Sequence, residues 1–180
     1  MINPKKWHGI ALLDICSNII SSIIANRLEQ HYRTFANEAQ CGSLQRKGCA
    51  DANFAVNLSL QTIREHGDST YCIFVDLIKA YDTVNRELLW KVLKRYGVPI
   101  IIIKVLQKLY NNTTIFLSEE TSFQATCGVK QGDNLAPILF VILLNAVTET
   151  LENKWTFEKP DFRWMPNTKG NDQTRGQLKI

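Results

Sequence analysis

An aspartate at the end of a short apolar run is the first residue in this sequence that could do chemistry. Residues 71–77 read YCIFVDL, a β-prone stretch that predicts a buried strand with Asp76 at its exit. A carboxylate held there by a rigid scaffold can bind a metal ion beside a phosphate. An aspartate after an apolar run also caps helices and opens turns, so the pattern alone leaves both interpretations open.

A second group of residues with chemical potential contains an aromatic ring, an amide and glycine. Tyr81 follows the aspartate closely, and Gln131 and Gly132 lie in the segment GVKQGDNLAPILF at 128–140. Glycine lets the main chain approach a ligand closely, and a glutamine amide can hydrogen-bond to it. The alternatives are a core aromatic at the first position and an ordinary turn before a helix at the other two.

Other polar residues near these groups have structural explanations of equal or greater weight. We interpret Asp82 as a helix cap and Asp133 as part of a turn that leads into a helix. Lys79 and Lys130 are either solvated surface charges or phosphate contacts, because exposed lysines are common. The histidines at 8, 31 and 66 are too far apart in sequence to suggest shared metal ligation.

Hydrophobic periodicity predicts the elements that position these residues. In the first helix, the isoleucines at 19, 20, 23 and 24 predict a face packed on a core. Asp51 is the predicted cap of the second helix, and Asp82 or Thr83 that of the third. The predicted helices cover about 14–33, 51–67, 83–96, 100–110 and 135–155, and the predicted hairpin pairs 114–117 with 123–129.

Composition is that of an ordinary globular protein. The 180 residues are 45% hydrophobic and 21% charged, which excludes collagen-like and wholly disordered chains. A formal net charge of +4 permits polyanion binding without forming a strongly basic module. Five separated cysteines without a Cys-x-x-Cys pair indicate reduced, mostly buried thiols of an intracellular protein. The longest apolar run, 135–144, is about half a membrane span, so we expect no membrane anchor.

Four blocks of sequence, taken in order, resemble one protein family. The block FVDLIKAYDTV at 74–84, with Arg86, resembles the first palm motif of reverse transcriptases from non-LTR (LINE-type) retrotransposons. The segment 128–140 is similar to their second palm motif. Upstream, the blocks at 7–13 with 23–28 and at 40–42 with 48–51 are similar to their fingers segments. Ordered matches of this kind are far more specific than a single short motif.

The resemblance implies a fold and a division of the chain. We expect an α+β fold, with the fingers and a partial palm of a right-hand polymerase, in which helices pack on a short antiparallel sheet. Residues 1–69 would form the helical fingers-like region. Residues 70–155 would form the partial palm, and 156–180 an irregular tail.

The resemblance also implies an activity, RNA-directed DNA polymerisation by two-metal nucleotidyl transfer. It implies that Asp76 is catalytic and ligates both Mg²⁺ ions, with the Leu77 carbonyl completing part of one shell. Tyr81 would exclude the 2′-hydroxyl of a ribonucleotide, and Gln131 and Gly132 would border the nascent base pair. The implied partners are an RNA template, a DNA primer and deoxynucleoside triphosphates, in the cytoplasm or the nucleus and away from membranes.

One departure from the family pattern limits this expectation. The third palm motif, an aromatic residue followed by any residue and then Asp-Asp, is absent, because no Asp-Asp pair occurs in the sequence. Asp76 alone would leave the charge of two metal ions poorly compensated, so we expect this chain to be inactive on its own. The alternative function is a non-catalytic remnant that binds RNA or an RNA/DNA hybrid, for which steep salt dependence would be diagnostic.

Overall fold

The computed structural model describes residues 10–67, 69–111, 113–116 and 120–158. In chain order the elements are α1 (Ile15–Tyr32), α2 (Cys49–Glu65), α3 (Arg86–Arg95), α4 (Ile100–Tyr110), β1 (Thr114–Phe116), β2 (Ser122–Gln124) and α5 (Ala136–Glu158). This mixture confirms the α+β class. The predicted tail lies outside the described residues from position 159 onward.

These residues divide into two compact units. The first contains those within Met1–Ala36 and Asp76–Leu143, and the second those within Asn37–Val75 and Leu144–Ile180. The predicted fingers and palm boundaries stay a prediction, because they assign function to segments. The core of the first unit is formed by fully buried side chains of α1, α3, α4 and α5 with the residue that precedes α5: Leu28, Tyr32, Leu89, Leu93, Leu106, Tyr110, Leu135, Leu139 and Ile142.

Helix α1 has the predicted extent but not the predicted buried face. Asp14 caps it, because its carboxylate accepts the Ser17 backbone N–H at 2.8 Å. Only Ser21, Leu28 and Tyr32 are buried, and the isoleucines at 19, 20 and 23 are about half exposed. The helix therefore contacts the core through its C-terminal turns. The prediction of a buried isoleucine face was wrong. The periodicity shows that one face of the helix is apolar, but it does not show that another element covers this face.

Helix α2 belongs to the second unit and begins two residues earlier than predicted. Gly48 is its N-cap, and Asp51 lies in its first turn, where its carboxylate accepts the Gly48 N–H at 2.7 Å. The prediction that Asp51 is the cap was wrong, since it supplies the returning half of a capping box. None of the α2 side chains is buried. In the same unit, Asn37 donates its N–H to Asn145 Oδ1 at 3.0 Å and its amide to Glu152 of α5, also at 3.0 Å.

Helices α3 and α4 pack on each other within the first unit. Asn85 caps α3 by accepting the Leu88 N–H at 2.9 Å, so the predicted caps Asp82 and Thr83 were wrong. The reason is local, because the N–H groups of Asp82 and Thr83 bond to the Lys79 carbonyl in a preceding turn. Helix α4 has the predicted bounds, and Gly97 with φ +77° separates the two helices.

The sheet is smaller than predicted. Strands β1 and β2 pair antiparallel, with Thr114 opposite Gln124 and Phe116 opposite Ser122. The predicted strand at 71–77 is wrong: this segment is irregular, and Tyr71 and Phe74 are 92% and 91% exposed. A strand needs a neighbour to satisfy its N–H and C=O groups, and β1 and β2 pair only with each other in the described part of the chain.

Two further expectations from composition can be compared with the structure. The five cysteines are free, as expected, but four of them are exposed, so the expectation of mostly buried thiols was wrong. Helix α5 is long and apolar enough between Ala136 and Lys154 to cross a membrane by length and composition alone, a property that core helices share. Because Leu139 and Ile142 are fully buried inside the first unit, we interpret its N-terminal half as a core helix.

Candidate functional site

A cavity of about 180 Å³ brings the two chemically suggestive segments together. It is lined by Leu77, Lys79, Ala80, Tyr81, Asp82 and Gln131. Three of the predicted site residues, Leu77, Tyr81 and Gln131, therefore share one cavity. Its volume is below the roughly 300 Å³ at which small-molecule sites begin, so it fits part of a ligand.

The Tyr81 side chain is positioned by a turn and by an aromatic neighbour. Residues 78–83 form turns in which Lys79 adopts φ +51°. The ring of Tyr81 stacks on Phe140 of α5, with 5.0 Å between centroids and 27° between planes. One face of the ring is thereby covered, and the residue is half-buried at the cavity.

Gly128 and Val129 bond directly to the main chain that carries Tyr81. The Gly128 N–H donates to the Val84 carbonyl and the Val129 N–H donates to the Tyr81 carbonyl, both at 2.8 Å. Gly128 has φ +79°, and a Cβ at this position would lie 2.7 Å from the Asp82 carbonyl oxygen. Glycine is therefore required here, and it allows the two segments to touch through their main chains.

The predicted residues Gln131 and Gly132 pack against the chain just before α1. The Ala11 N–H donates to the Gln131 carbonyl at 2.7 Å. Gly132 has φ +106°, and a Cβ there would lie 2.5 Å from the Ala11 carbonyl oxygen. This contact with Ala11 requires glycine at 132, and the position of Gly132 beside a nascent base pair stays a prediction. Gln131 also lines the cavity.

Asp76 lies on the surface, at the end of the exposed segment 71–77. In the described part of the chain, no three His, Cys, Asp or Glu side chains are placed to hold a metal ion. Magnesium prefers six oxygen ligands, commonly including more than one carboxylate or phosphate. Asp76 and the neighbouring Leu77 carbonyl are too few, so these residues do not form a complete Mg²⁺ site.

The guanidinium of Arg86 binds four carbonyl oxygens. Its Nε donates to Gly128 at 2.8 Å, and Nη1 donates to Tyr110 and to Ala125, each at 2.7 Å. Its Nη2 donates to Cys127 at 3.2 Å. We call this arrangement the carbonyl clamp. Burial lowers the pKa of Arg86 from its ordinary value, although arginine remains charged in any case.

A buried acid and a half-buried lysine complete the surroundings of the carbonyl clamp. Asp133 accepts the Tyr110 hydroxyl at 3.2 Å and the Leu135 N–H at 3.1 Å. Lys130 donates to the Leu109 carbonyl at 3.1 Å and lies 5.3 Å from the Tyr110 ring centroid. Burial lowers the pKa of Lys130 and raises that of Tyr110, which Asp133 raises further. Asp133 therefore has the expected structural role, and Lys130 is a structural cation.

Comparison with known proteins assigns the chain to a family. The family model for reverse transcriptase (RNA-dependent DNA polymerase) matches residues 3–168. The chain belongs to the reverse transcriptase family. It is 30% identical over 157 residues, 84% of this chain, to the retrovirus-related Pol polyprotein of the type-2 retrotransposable element R2DM of Drosophila melanogaster. It is 26% identical over 156 residues to the corresponding polyprotein of type-1 element R2 of Popillia japonica, again covering 84% of this chain.

These matches confirm the resemblance to LINE-type elements and show a partial reverse transcriptase domain. The chain spans 14% of the Drosophila polyprotein and 22% of the Popillia one. A third relative, the putative COX1/OXI3 intron 1 protein of Saccharomyces cerevisiae, is 33% identical over 109 residues, 56% of this chain and 12% of that protein.

Sequence reasoning missed the carbonyl clamp of this reverse transcriptase segment, although one signal was available. Arg86 is the first residue of α3, where the positive end of the helix dipole disfavours a cation. An arginine at that position therefore indicates a compensating interaction elsewhere. Two histidines bond to main-chain carbonyls: His31 Nε2 lies 2.8 Å from the Tyr96 carbonyl and His66 Nδ1 lies 2.7 Å from the Thr62 carbonyl. The histidine at position 8 lies outside the described residues.

The buried tyrosines predict that stability falls in alkali. Burial raises the pKa of Tyr32 to about 12, and the pKa of Tyr110 is also raised. Above pH 10 the unfolded chain loses these phenol protons while the folded chain keeps them, so stability present below pH 10 is lost as pH rises towards 12. The lowered pKa of Lys130 has the opposite effect: it makes stability rise with pH, but only up to about pH 10.5, the ordinary pKa of lysine. Urea midpoints should therefore fall between pH 10.5 and 12, and less steeply in Tyr110→Phe.

An exposed tyrosine supplies the control for this measurement. Tyr71→Phe removes a hydroxyl from a residue that is almost fully exposed, so it should leave the pH dependence unchanged. A midpoint that does not fall above pH 10.5 in the unmodified chain would contradict the prediction.

Proposed function

We propose that this chain supplies the nucleotide pocket of an RNA-directed DNA polymerase that copies an RNA template from a DNA primer. The observation that carries the proposal is the shared cavity of Tyr81 and Gln131, which come from the two segments that resemble palm motifs. Membership of the reverse transcriptase family and similarity to R2 Pol polyproteins support it. In this proposal residues 1–69 are fingers-like and residues 70–155 are a partial palm.

In this proposal Tyr81, Gln131 and Lys79 each have a definite role in nucleotide binding. Tyr81 is held from behind by Phe140 and can present its ring to the sugar of an incoming nucleotide, where a 2′-hydroxyl would collide with it. The Gln131 amide can donate to or accept from the nucleotide. Lys79, which also lines the cavity, adds a positive charge next to the place where an anionic ligand would lie.

We also propose that the 180-residue chain binds nucleotide without turning it over. Nucleotidyl transfer in this family depends on divalent metal ions, which supply charge stabilisation at the reacting phosphate. The described residues offer Asp76 as an exposed carboxylate and no acidic cluster around it. The protein's own contribution is then positioning, through the packed turn at 78–83 and the main-chain contacts of Gly128 and Val129.

Discrimination between sugars tests the proposal. The unmodified chain should bind dATP at least about tenfold more tightly than ATP, because these nucleotides differ only in the 2′-hydroxyl that Tyr81 would exclude. Tyr81→Ala should bring the two dissociation constants close to each other by removing the obstacle. Competition against a fluorescent deoxynucleoside triphosphate, with an RNA template and DNA primer present, measures both constants.

A second tyrosine provides the matched control for the binding measurement. Tyr71→Ala makes the same chemical change at an exposed position and should preserve the preference. Failure of the unmodified chain to bind either nucleotide would refute the proposed function. An unchanged preference in Tyr81→Ala would refute the assignment of Tyr81.

A further inference from the structure

The carbonyl clamp joins separate parts of the first unit through one side chain. Its acceptors are the last residue of α4, Tyr110, and three residues after β2, namely Ala125, Cys127 and Gly128. Four carbonyl dipoles that converge on one point repel each other unless a cation lies between them. The guanidinium supplies both the charge and a planar set of donors that can face several acceptors at once.

A short series of main-chain contacts connects this clamp to the cavity. Gly128 accepts from Arg86 through its carbonyl and donates to Val84 through its N–H, so both of its polar groups are bonded. The next residue, Val129, donates to the Tyr81 carbonyl. Arg86 therefore acts on the Tyr81 main chain through two consecutive residues, and the position of Gln131 follows two residues later in the same segment.

We propose that Arg86 is a positioning residue that sets the separation of Tyr81 and Gln131 and thereby the sugar preference of the pocket. The inference rests on the proposed function, because the preference belongs to the same nucleotide site. Arg86 does not line the cavity, so it acts on the ligand only through the backbone. Lysine at this position would keep the charge but place all its donors on one nitrogen, which cannot serve four separated carbonyls.

Arg86→Lys in the full 180-residue chain tests the inference with two readouts. By NMR, hydrogen exchange at the Gly128 and Val129 amides should accelerate at least about tenfold relative to the Leu93 amide in the core. The dATP preference over ATP should fall at least about threefold. This preference is a ratio of two dissociation constants, so a smaller folded fraction lowers both affinities equally and leaves it unchanged.

Arg64→Lys is the matched control, since Arg64 is exposed on α2 and the change is chemically identical. It should alter neither readout. If Arg86→Lys leaves the preference unchanged while the unmodified chain prefers dATP, the inference is wrong and the proposed function stands. If the unmodified chain binds no nucleotide, both are wrong.

A measurement on the unmodified chain keeps the inference testable even if Arg86→Lys does not fold. A clamped segment should open only when the core does, so the Gly128 and Val129 amides should exchange within about tenfold of the Leu93 amide after correction for intrinsic rates. Exchange a hundredfold faster than at Leu93 would show that the segment opens independently, and the positioning role of Arg86 would be overturned.

Discussion

Replacing Gly128 with alanine should lower the free energy of unfolding by about 3 kcal/mol. The positive φ of +79° costs an L-residue about 1 kcal/mol. The added Cβ would also lie 2.7 Å from the Asp82 carbonyl oxygen and 3.0 Å from the Tyr81 carbonyl oxygen, both of which are backbone atoms. Relief of this contact would separate the two segments and weaken the hydrogen bonds from Gly128 to Val84 and from Val129 to Tyr81.

Gly97 provides a control that isolates the steric part of this effect. It has nearly the same φ, +77°, but a Cβ there meets nothing within 4 Å. Gly97→Ala should therefore cost only the conformational penalty of about 1 kcal/mol. Urea unfolding of both variants measures the difference, and equal losses would show that the contact between the two segments is not needed for stability.

The 180-residue chain should give no primer extension above background on an RNA template with deoxynucleotides and Mg²⁺. We expect no product at all, because a two-metal reaction needs several anionic ligands and the described residues contain no group of three His, Cys, Asp or Glu side chains placed to hold a metal ion. The absence of an Asp-Asp pair from the sequence leads to the same expectation. Gel analysis of a labelled primer measures the product, with an active reverse transcriptase in a parallel reaction.

Asp76→Asn serves as the diagnostic variant for that assay. Asp76 is exposed, so the substitution should change stability by less than about 0.5 kcal/mol and should leave the chain folded. Extension by the unmodified chain that disappears in Asp76→Asn would contradict the prediction, since it would show a working metal site built on this carboxylate.

The helices were predictable because their signals are local. The pattern of α4 is bounded by Pro99 and by the asparagine after Tyr110, and the structure has the predicted bounds. The cap of α3 was not predictable in the same way. Asp82, Thr83 and Asn85 can all cap a helix, and the preceding turn on Lys79 selects Asn85.

The predicted strand at 71–77 shows where a local signal is insufficient. Its residues have high β-propensity, but propensity describes how a side chain fits a covered, paired surface. In the structure this segment is unpaired and Phe74 is almost fully exposed. The carboxylate of Asp76 therefore does not lie at the end of a strand in the structure, and its role as a Mg²⁺ ligand stays a prediction.

Three of the predicted site residues, Leu77, Tyr81 and Gln131, line the cavity, but the contacts that support them were not predictable from the sequence. Tyr81 and Gln131 were singled out through a family resemblance, and the structure places both at one cavity. No spacing in the sequence indicated that they would meet. The contacts of Arg86 with main-chain carbonyls depend on tertiary structure. Every residue type has a main-chain carbonyl, so the acceptors of Arg86 cannot be recognised from the sequence.

The first unit is built from two segments that lie far apart in the sequence, and this affects folding during synthesis on the ribosome. The Asn134 amide donates to the Ser22 hydroxyl at 2.7 Å across 112 residues of chain, and the Ala11 N–H donates to Gln131. At a synthesis rate of about 5–20 residues per second, these partners are made roughly 5 to 20 seconds after α1. During this interval Leu28 and Tyr32 lack the part of the core that α5 supplies, so the newly made segment around α1 exposes apolar surface to which chaperones can bind.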